Sequence, residues 1–219
     1  HMFSKSNNFY GGHGIVGAQV PIGTGVAFTH KYINDGNICR TYIGDGAMNN
    51  GQIFESFNMA SLWKLPVLYI IENNQYGMGT STIKSSAGKD LFKRGEPFDI
   101  PGEQVDGMDI IKVREASYKG SKYVRSGKGP YIIEMKTYRY KGHSMSDPAQ
   151  YRTKKELNKY KLKDPIEKLK KRILNKKIIS EKEINKVESE IMNEIKKAAE
   201  FAEKSPKPTT EVLYQDVYA

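Results

Sequence analysis

Two short stretches constrain this chain more than anything else in it. An aspartate between two glycines, Gly44-Asp45-Gly46, closes the β-prone run ICRTYI (38–43). A second apolar run, VLYII (67–71), closes in Glu72-Asn73-Asn74-Gln75-Tyr76. Between them, residues 50–65 carry Ile53, Phe54, Phe57, Ala60 and Leu62 near helical spacing, and Pro66 stops the pattern. Strand, helix and strand in that order make a βαβ unit, with parallel strands, a right-handed crossover and a ligand crevice beyond the strands' carboxyl ends. Asp45 and the asparagine pair therefore face one crevice. A carboxylate, an amide oxygen and a backbone carbonyl form a hard, all-oxygen set suited to Mg²⁺ or Ca²⁺ when phosphates complete the shell. Glycines let a ligand approach the backbone, and a helix start offers free N–H groups to phosphate. A lone GDG is as readily a simple turn; its pairing with a second strand ending in NN gives each part a mechanical role.

The remaining elements extend the pattern into a doubly wound, mainly parallel α/β sheet flanked by helices. YGGHGIVGAQVPIGTGVAFTHKY predicts a glycine-rich turn and then a closely packed helix to Tyr32, followed by an NDGN turn (34–37). DIIKV (109–113) reads as a short strand, REASYKGSKYVRSG as a helix closed by Gly127, and PYIIEMKTY (130–138) as another strand. Residues 139–152, RYKGHSMSDPAQYR, form a polar loop. SEKEINKVESEIMNEIKKAAEFAEKS (180–205) opens with a Ser-x-x-Glu capping box and aligns Ile184, Val187, Ile191, Ile195 and Ala199. The expected organisation is an α/β ligand-binding domain over 1–150 and a helical extension over 151–219 packed on it.

Composition narrows the function classes. A chain of 219 residues suffices for one sizeable α/β domain with an appendage. Its single cysteine, Cys39, lies in a predicted strand, reads as a small buried apolar residue, and excludes an intrachain disulfide framework. The net charge of +10 raises the question of nucleic acid. Residues 151–207, however, hold 18 Lys or Arg against 10 Asp or Glu, so 18 − 10 = 8 of that surplus lies there, interleaved on helical periods as on a solvated face. Nucleic acid is not an expected partner. Neither is a membrane, since no apolar run approaches the roughly 20 residues a spanning helix needs.

The GDG-to-NN unit resembles the thiamine diphosphate motif. FYGGHGIVGAQVPIGTG, GDGAMNNGQIFESFNMASLWKLPV, IIENNQYGMGTS, VDGMD and TYRYKGHSMSDP extend the likeness across nearly the whole chain, to the α subunits of the pyruvate dehydrogenase decarboxylating component. The resemblance implies thiamine diphosphate and Mg²⁺ as cofactors, with Asp45, Asn74 and the Tyr76 carbonyl on the metal. It places backbone groups near Gly14 and Val16 on the aminopyrimidine. Gly44, Gly46 and Ala47 belong to the diphosphate-binding turn, supported by Asn49. His143, beside the diphosphate, is the implied catalytic residue. His13 and Glu55 are structural or peripheral, because the glutamate that activates the cofactor belongs to the β subunit in this family. Pyruvate is the implied substrate. The implied partners are that β subunit, in an α₂β₂ assembly, and a lipoyl acyltransferase core.

The likeness also carries departures. The chain opens without methionine, inside a phrase that an N-terminal section precedes in the family, so the expectation is a chain lacking that section. Ser144 matches a kinase-target serine of mitochondrial members, but DPAQYR is shorter and lacks the second such serine. This favours a bacterial-type enzyme in the cytoplasm over one in a mitochondrial matrix or plastid, with Ser144 ordering its loop by hydrogen bonding. Acetoin and branched-chain 2-oxoacid dehydrogenase α subunits share the GDG-to-NN unit and remain the alternatives, as does a non-catalytic assembly piece.

Overall fold

Four strands form one all-parallel sheet, in the spatial order Cys39–Gly44, Val67–Asn73, Tyr131–Lys136, Gly102–Asp106. The computed structural model describes residues 2–215 and 217, which divide into two compact units, His1–Lys168 and Leu169–Ala219. In chain order the first unit builds α1 (Gln19–Ile33), β1 (Cys39–Gly44), α2 (Gly51–Leu62) and β2 (Val67–Asn73). A small antiparallel hairpin, β3 (Tyr76–Gly77) and β4 (Thr80–Ser81), leads into the single turn α3 (Thr82–Ser85). Then come a 3₁₀ segment (Leu91–Phe98), β5 (Gly102–Asp106), α4 (Ile110–Arg125), β6 (Tyr131–Lys136) and α5 (Lys154–Lys161). The helices α6 (Pro165–Asn175) and α7 (Glu181–Lys204) follow.

Strand order explains why both faces of the sheet are covered. The crossover β1-α2-β2 and the crossover β5-α4-β6 run toward the centre from opposite edges, so right-handed connections put their helices on opposite faces. The packing obeys this. Val67, Tyr69 and Ile71 of β2 pack with Ile53, Phe57 and Ala60 of α2 and with Val20 and Ala27 of α1. The alternate residues Leu68 and Ile70 pack with Ala116 and Val124 of α4, joined by Tyr131 and Ile133 of β6. A strand buried on both faces must read as a continuous apolar run, and VLYII does. On the first face the Phe57 and Tyr69 rings lie 4.8 Å apart, and the buried Tyr69 hydroxyl meets Thr24 Oγ1 at 2.8 Å. Cys39 is half-buried beside this cluster, and burial raises its thiol pKa.

Two predicted elements need correction. DIIKV is not a strand but the opening of α4: Asp109 caps it, its Oδ1 accepting from the N–H groups of Ile111 (3.1 Å) and Lys112 (3.4 Å). A short apolar run cannot be told from a helix's first turn by periodicity alone, and here the capping aspartate decides. The strand lies just upstream, in the polar stretch GEQVD (β5), at the edge of the sheet where little burial is asked of it. The predicted helix over 50–65 ends earlier, at Leu62, because Lys64 turns left-handed (φ 46°) before Pro66.

At the centre of the carboxyl-end half of the sheet lies a buried carboxylate. Glu134 of β6 is wholly inaccessible to solvent. Its Oε1 accepts from Asn73 Nδ2 at 2.7 Å and from Lys136 Nζ at 2.8 Å; its Oε2 accepts from the Phe92 N–H and Gln104 Nε2, both at 3.2 Å. One side chain thus fastens the end of β2, the edge strand β5 and the 91–98 segment to β6. A buried charge is tolerable when its lone pairs are met this fully.

In the second unit α7 begins with the expected capping box: Ser180 Oγ accepts from the Glu183 N–H (3.3 Å), and Glu183 Oε2 accepts from the Ser180 N–H (2.7 Å). Lys170 and Glu188 pair at 3.1 Å within the same unit. No described residue of α7 is buried; Val187, Ile191 and Ile195 stand about half exposed.

Glu134→Ala leaves the Asn73 amide and the Phe92 N–H without their acceptor beneath the sheet's end. Unfolding free energy in urea should fall by about 3–5 kcal/mol; a loss under about 1 kcal/mol would show that Glu134 does not bear this load.

Candidate functional site

β1 and β2 pair in parallel with Gly44 opposite Glu72, so Asp45 and Asn73-Asn74 leave the sheet side by side. β6 adjoins β2, and the Thr137 N–H donates to the Asn73 carbonyl at 2.9 Å. Three loops therefore share one end of the sheet: the GDG turn, the NNQYG hairpin and the loop opening at Thr137. This is the switch point where crossovers run in from both edges, and ligands of such sheets bind there.

Asp45 is buried, 2% exposed, and its one hydrogen-bond partner among the described residues is a hydroxyl: Thr82 Oγ1 donates to Asp45 Oδ2 at 2.9 Å. The GDG turn touches the hairpin through two glycines. A Cβ on Gly46 would lie 3.2 Å from the Gly77 Cα, and one on Gly77 equally close to the Gly46 Cα, so any other residue at either position would push the two loops apart. Ala47–Asn49 is a 3₁₀ turn following Gly46, and α2 proper starts at Gly51 with Asn50 as its cap. Asn49 reaches the 85–86 backbone and side chain through Nδ2, at 3.2 Å to the Ser85 carbonyl and 3.4 Å to Ser86 Oγ.

Asn74 is partly buried, and its Oδ1 accepts from the Tyr76 N–H at 3.1 Å, which holds the amide oxygen in a tight Asx turn. Gln75, in the left-handed region at φ 77°, is fixed by Asn73 Oδ1. The Tyr76 carbonyl accepts from Arg139 Nη1 at 3.2 Å, while its hydroxyl donates to Glu156 Oε1 at 2.8 Å. Tyr138 donates to the same oxygen at 2.9 Å and stacks on Tyr160 at 3.9 Å. Burial first, and Glu156 second, push the Tyr138 hydroxyl pKa up to about 12. Glu156 of α5 thus secures the hairpin through the Tyr76 hydroxyl.

The glycine-rich turn before α1 joins the site through α2. The Val16 carbonyl accepts from Asn50 Nδ2 at 3.2 Å and Gln52 Nε2 at 3.3 Å, and Gly17 turns left-handed (φ 86°) where a Cβ would meet Gln52 Nε2 at 3.0 Å. Gly14 and Val16 are exposed beside the start of α2. His143 is exposed in the 139–152 loop. That loop is built on Asp147, whose carboxylate accepts from the His143 N–H (2.7 Å), the Ala149 N–H (2.8 Å) and the Tyr151 hydroxyl (2.9 Å). Ser144 Oγ lies 3.1 Å from Ser146 Oγ, within the loop. Arg152 donates to the carbonyls of Arg139, Tyr140 and Lys141 and braces its base. Arg139 also donates to Tyr151, and its Nε is buried with no partner among the described residues. Glu55 is exposed on α2, outside this convergence.

The chemistry of these groups suits a divalent cation that brings its own anion. Asp45 is a buried carboxylate without a cationic partner among the described residues, and Asn74 presents an amide oxygen with a lone pair still unused. The Tyr76 carbonyl has one lone pair on Arg139 and one remaining. No group of three or more His, Cys, Asp or Glu gathers among the described residues, so one carboxylate and neutral oxygens are what the site offers. Thr82, Arg139, Glu134 and Glu156 escaped the sequence reading. A polar residue in a hairpin, a loop, a helix start or the middle of an apolar strand gives no periodic signal of the distant group it bonds.

The family model described as Dehydrogenase E1 component matches residues 1–211. The chain is similar to proteins named pyruvate dehydrogenase E1 component subunit alpha. That of Rickettsia bellii is 53% identical over 218 residues, covering 100% of this chain and 67% of that protein. That of Rhizobium meliloti is 53% identical over 99% of this chain and 63% of its own length. The mitochondrial protein of Dictyostelium discoideum is 51% identical over 100% and 57%.

The 139–152 loop gives a testable electrostatic signature. Hydrogen bonds from the His143 and Ala149 N–H groups hold the Asp147 carboxyl below its ordinary value of 3.8. A depressed carboxyl stabilises the loop fully above that ordinary value, and the contribution disappears as pH falls through the lowered one. At neutral pH Asp147→Ala should speed hydrogen exchange at the His143 and Ala149 amides selectively; unchanged exchange at both would refute Asp147 as the organiser of this loop.

Proposed function

The chain belongs to the dehydrogenase E1 component family of thiamine diphosphate-dependent 2-oxoacid dehydrogenases, and from that premise we propose that it is the α subunit of a pyruvate dehydrogenase. The observation that carries the reading is likeness at 51–53% identity, along essentially its whole length, to proteins of that name from several bacteria and a eukaryote. The site's donor chemistry agrees with it. The substrate is pyruvate, decarboxylated oxidatively with transfer of the acetyl group to lipoamide. Working partners are a β subunit, in an α₂β₂ assembly, and a lipoyl acyltransferase core. Residues 1–150 form the cofactor-binding part, and 151–219 the helical extension. No helix among the described residues is long and apolar enough to cross a membrane.

In this reading Asp45, Asn74 and the Tyr76 carbonyl hold Mg²⁺. Thiamine diphosphate, when bound, would supply the nucleophilic carbon and the electron sink that decarboxylation of a 2-oxoacid requires. The chain's own residues bind and orient. Gly44, Gly46 and Ala47 keep the turn free of bulk, and the Gly46 and Ala47 N–H groups serve the diphosphate. Backbone groups of Gly14 and Val16 receive the aminopyrimidine. His143 stands beside the diphosphate on a loop whose backbone Asp147 holds still. Arg139 ties that loop to the hairpin, donating to the Tyr76 carbonyl and to the Tyr151 hydroxyl.

The test is decarboxylation by the assembly with its cognate β subunit, Mg²⁺ and thiamine diphosphate, on pyruvate, 2-oxoisovalerate and acetoin. Pyruvate should be preferred; preference for either comparator would reassign the substrate. In the same assembly Asp45→Ala and Asn74→Ala should each weaken Mg²⁺-dependent cofactor binding by more than about 100-fold, beyond what losing an outer-shell partner costs. Cofactor binding at the unsubstituted level in either variant would remove that residue from the metal.

A further inference from the structure

Thr82 lies in none of the stretches that carry the family likeness, yet it makes the only described side-chain hydrogen bond to Asp45. Its hydroxyl donates to Asp45 Oδ2 at 2.9 Å, and both residues are buried, at 8% and 2% exposure. Its backbone N–H donates to the Gln75 carbonyl at 3.0 Å. One residue therefore holds the GDG turn with its side chain and the NNQYG hairpin with its main chain. The hairpin geometry puts it there: Tyr76 pairs with Ser81, so the next residue returns to the strand end that Gln75 has just left. Thr82 then begins α3, whose turn closes with the Ser86 N–H on the Thr82 carbonyl.

We infer that Thr82 is a positioning residue for metal binding, fixing the Asp45 carboxylate so that Oδ2 is committed to the hydroxyl and Oδ1 is the oxygen offered to the cation. The inference rests on Asp45 being a metal ligand, as proposed above. A hydroxyl has a single proton to donate, and here it goes to Asp45. The β-branched side chain is restricted in χ1, so the donor stays aimed without help from solvent. A buried carboxylate lacking this contact is free to turn about its own axis, and a cation must then pay to order it. Partners of metal ligands are typically worth tenfold or more in affinity, and Thr82 is such a partner.

The test uses the α₂β₂ assembly with thiamine diphosphate and reads Mn²⁺ binding by electron paramagnetic resonance, independent of turnover. Thr82→Val keeps the shape and removes the proton; Thr82→Ser keeps the proton. T82V should weaken Mn²⁺ about tenfold, and T82S should restore affinity close to the unsubstituted protein. Equal or tighter binding in T82V, or a T82S as weak as T82V, overturns the inference. Asp45→Ala is the control for the underlying reading: if it leaves Mn²⁺ affinity unchanged, Asp45 is not a ligand and both fall, whereas a large loss in D45A with none in T82V removes Thr82 alone. Should T82V fail to assemble, Thr82→Ala carries the same comparison.

Discussion

The register of two parallel strands is the constraint on which the rest depends. Gly44 lies opposite Glu72, so the residues that follow each strand emerge level with one another at the same edge of the sheet. A shift of one residue would bring a different backbone group to the crevice and turn every side chain of β2 to the wrong face. That face is fixed by burial on both sides: Val67, Tyr69 and Ile71 answer to α1 and α2, Leu68 and Ile70 to α4. Apolar packing in the middle of the sheet thus sets the position of a carboxylate at its end.

Polar contacts then take over where the apolar core stops. Glu134 joins β6 to the end of β2 through Asn73, and Asn73 in turn fixes Gln75, next to Asn74. Farther out, Thr82 ties the hairpin to Asp45, Arg139 ties it to the 139–152 loop, and Glu156 holds it through the Tyr76 hydroxyl. The hairpin is only two short strands, which would not be stable alone. It is ordered because the GDG turn, the 139–152 loop and α5 each bond to it. Buried networks of this kind are costly when incomplete, and most of the donors and acceptors here are met.

The legible part of this architecture is the part that apolar patterning governs. VLYII announces a strand covered on both faces, the helical spacing from Ile53 to Leu62 announces α2, and Ser180 with Glu183 announces the start of α7. The GDG turn and the NN pair were readable because parallel strand ends converge by topology. What escaped follows a different logic. β5 is polar because an edge strand buries little, and DIIKV opens a helix because Asp109 caps it. Glu134 sits in a run, YIIEMK, where its neighbours argue only for a strand; nothing local reveals that Asn73, sixty-one positions away, donates to it. Thr82 is likewise thirty-seven positions from Asp45. Long-range polar pairs leave no period in a sequence, so they are seen only once the fold has brought them together.

The sparseness of charge at the site is itself informative. A protein cage for a bare divalent cation gathers several carboxylates, because dehydrating the ion must be offset by ligand charge. Around Asp45 the described residues supply one carboxylate, an amide oxygen, backbone carbonyls and a hydroxyl, with Arg139 close to the hairpin. Such a set is too weakly anionic to hold a naked Mg²⁺ well. Under the proposed assignment it would gain affinity when the cation arrives with phosphate oxygens that complete its shell, while the N–H groups at the turn would favour the accompanying negative charge. The site would then discriminate between free metal and a metal–diphosphate pair through charge count rather than shape, with Asp45 as the buried carboxylate around which the neutral donors are arranged.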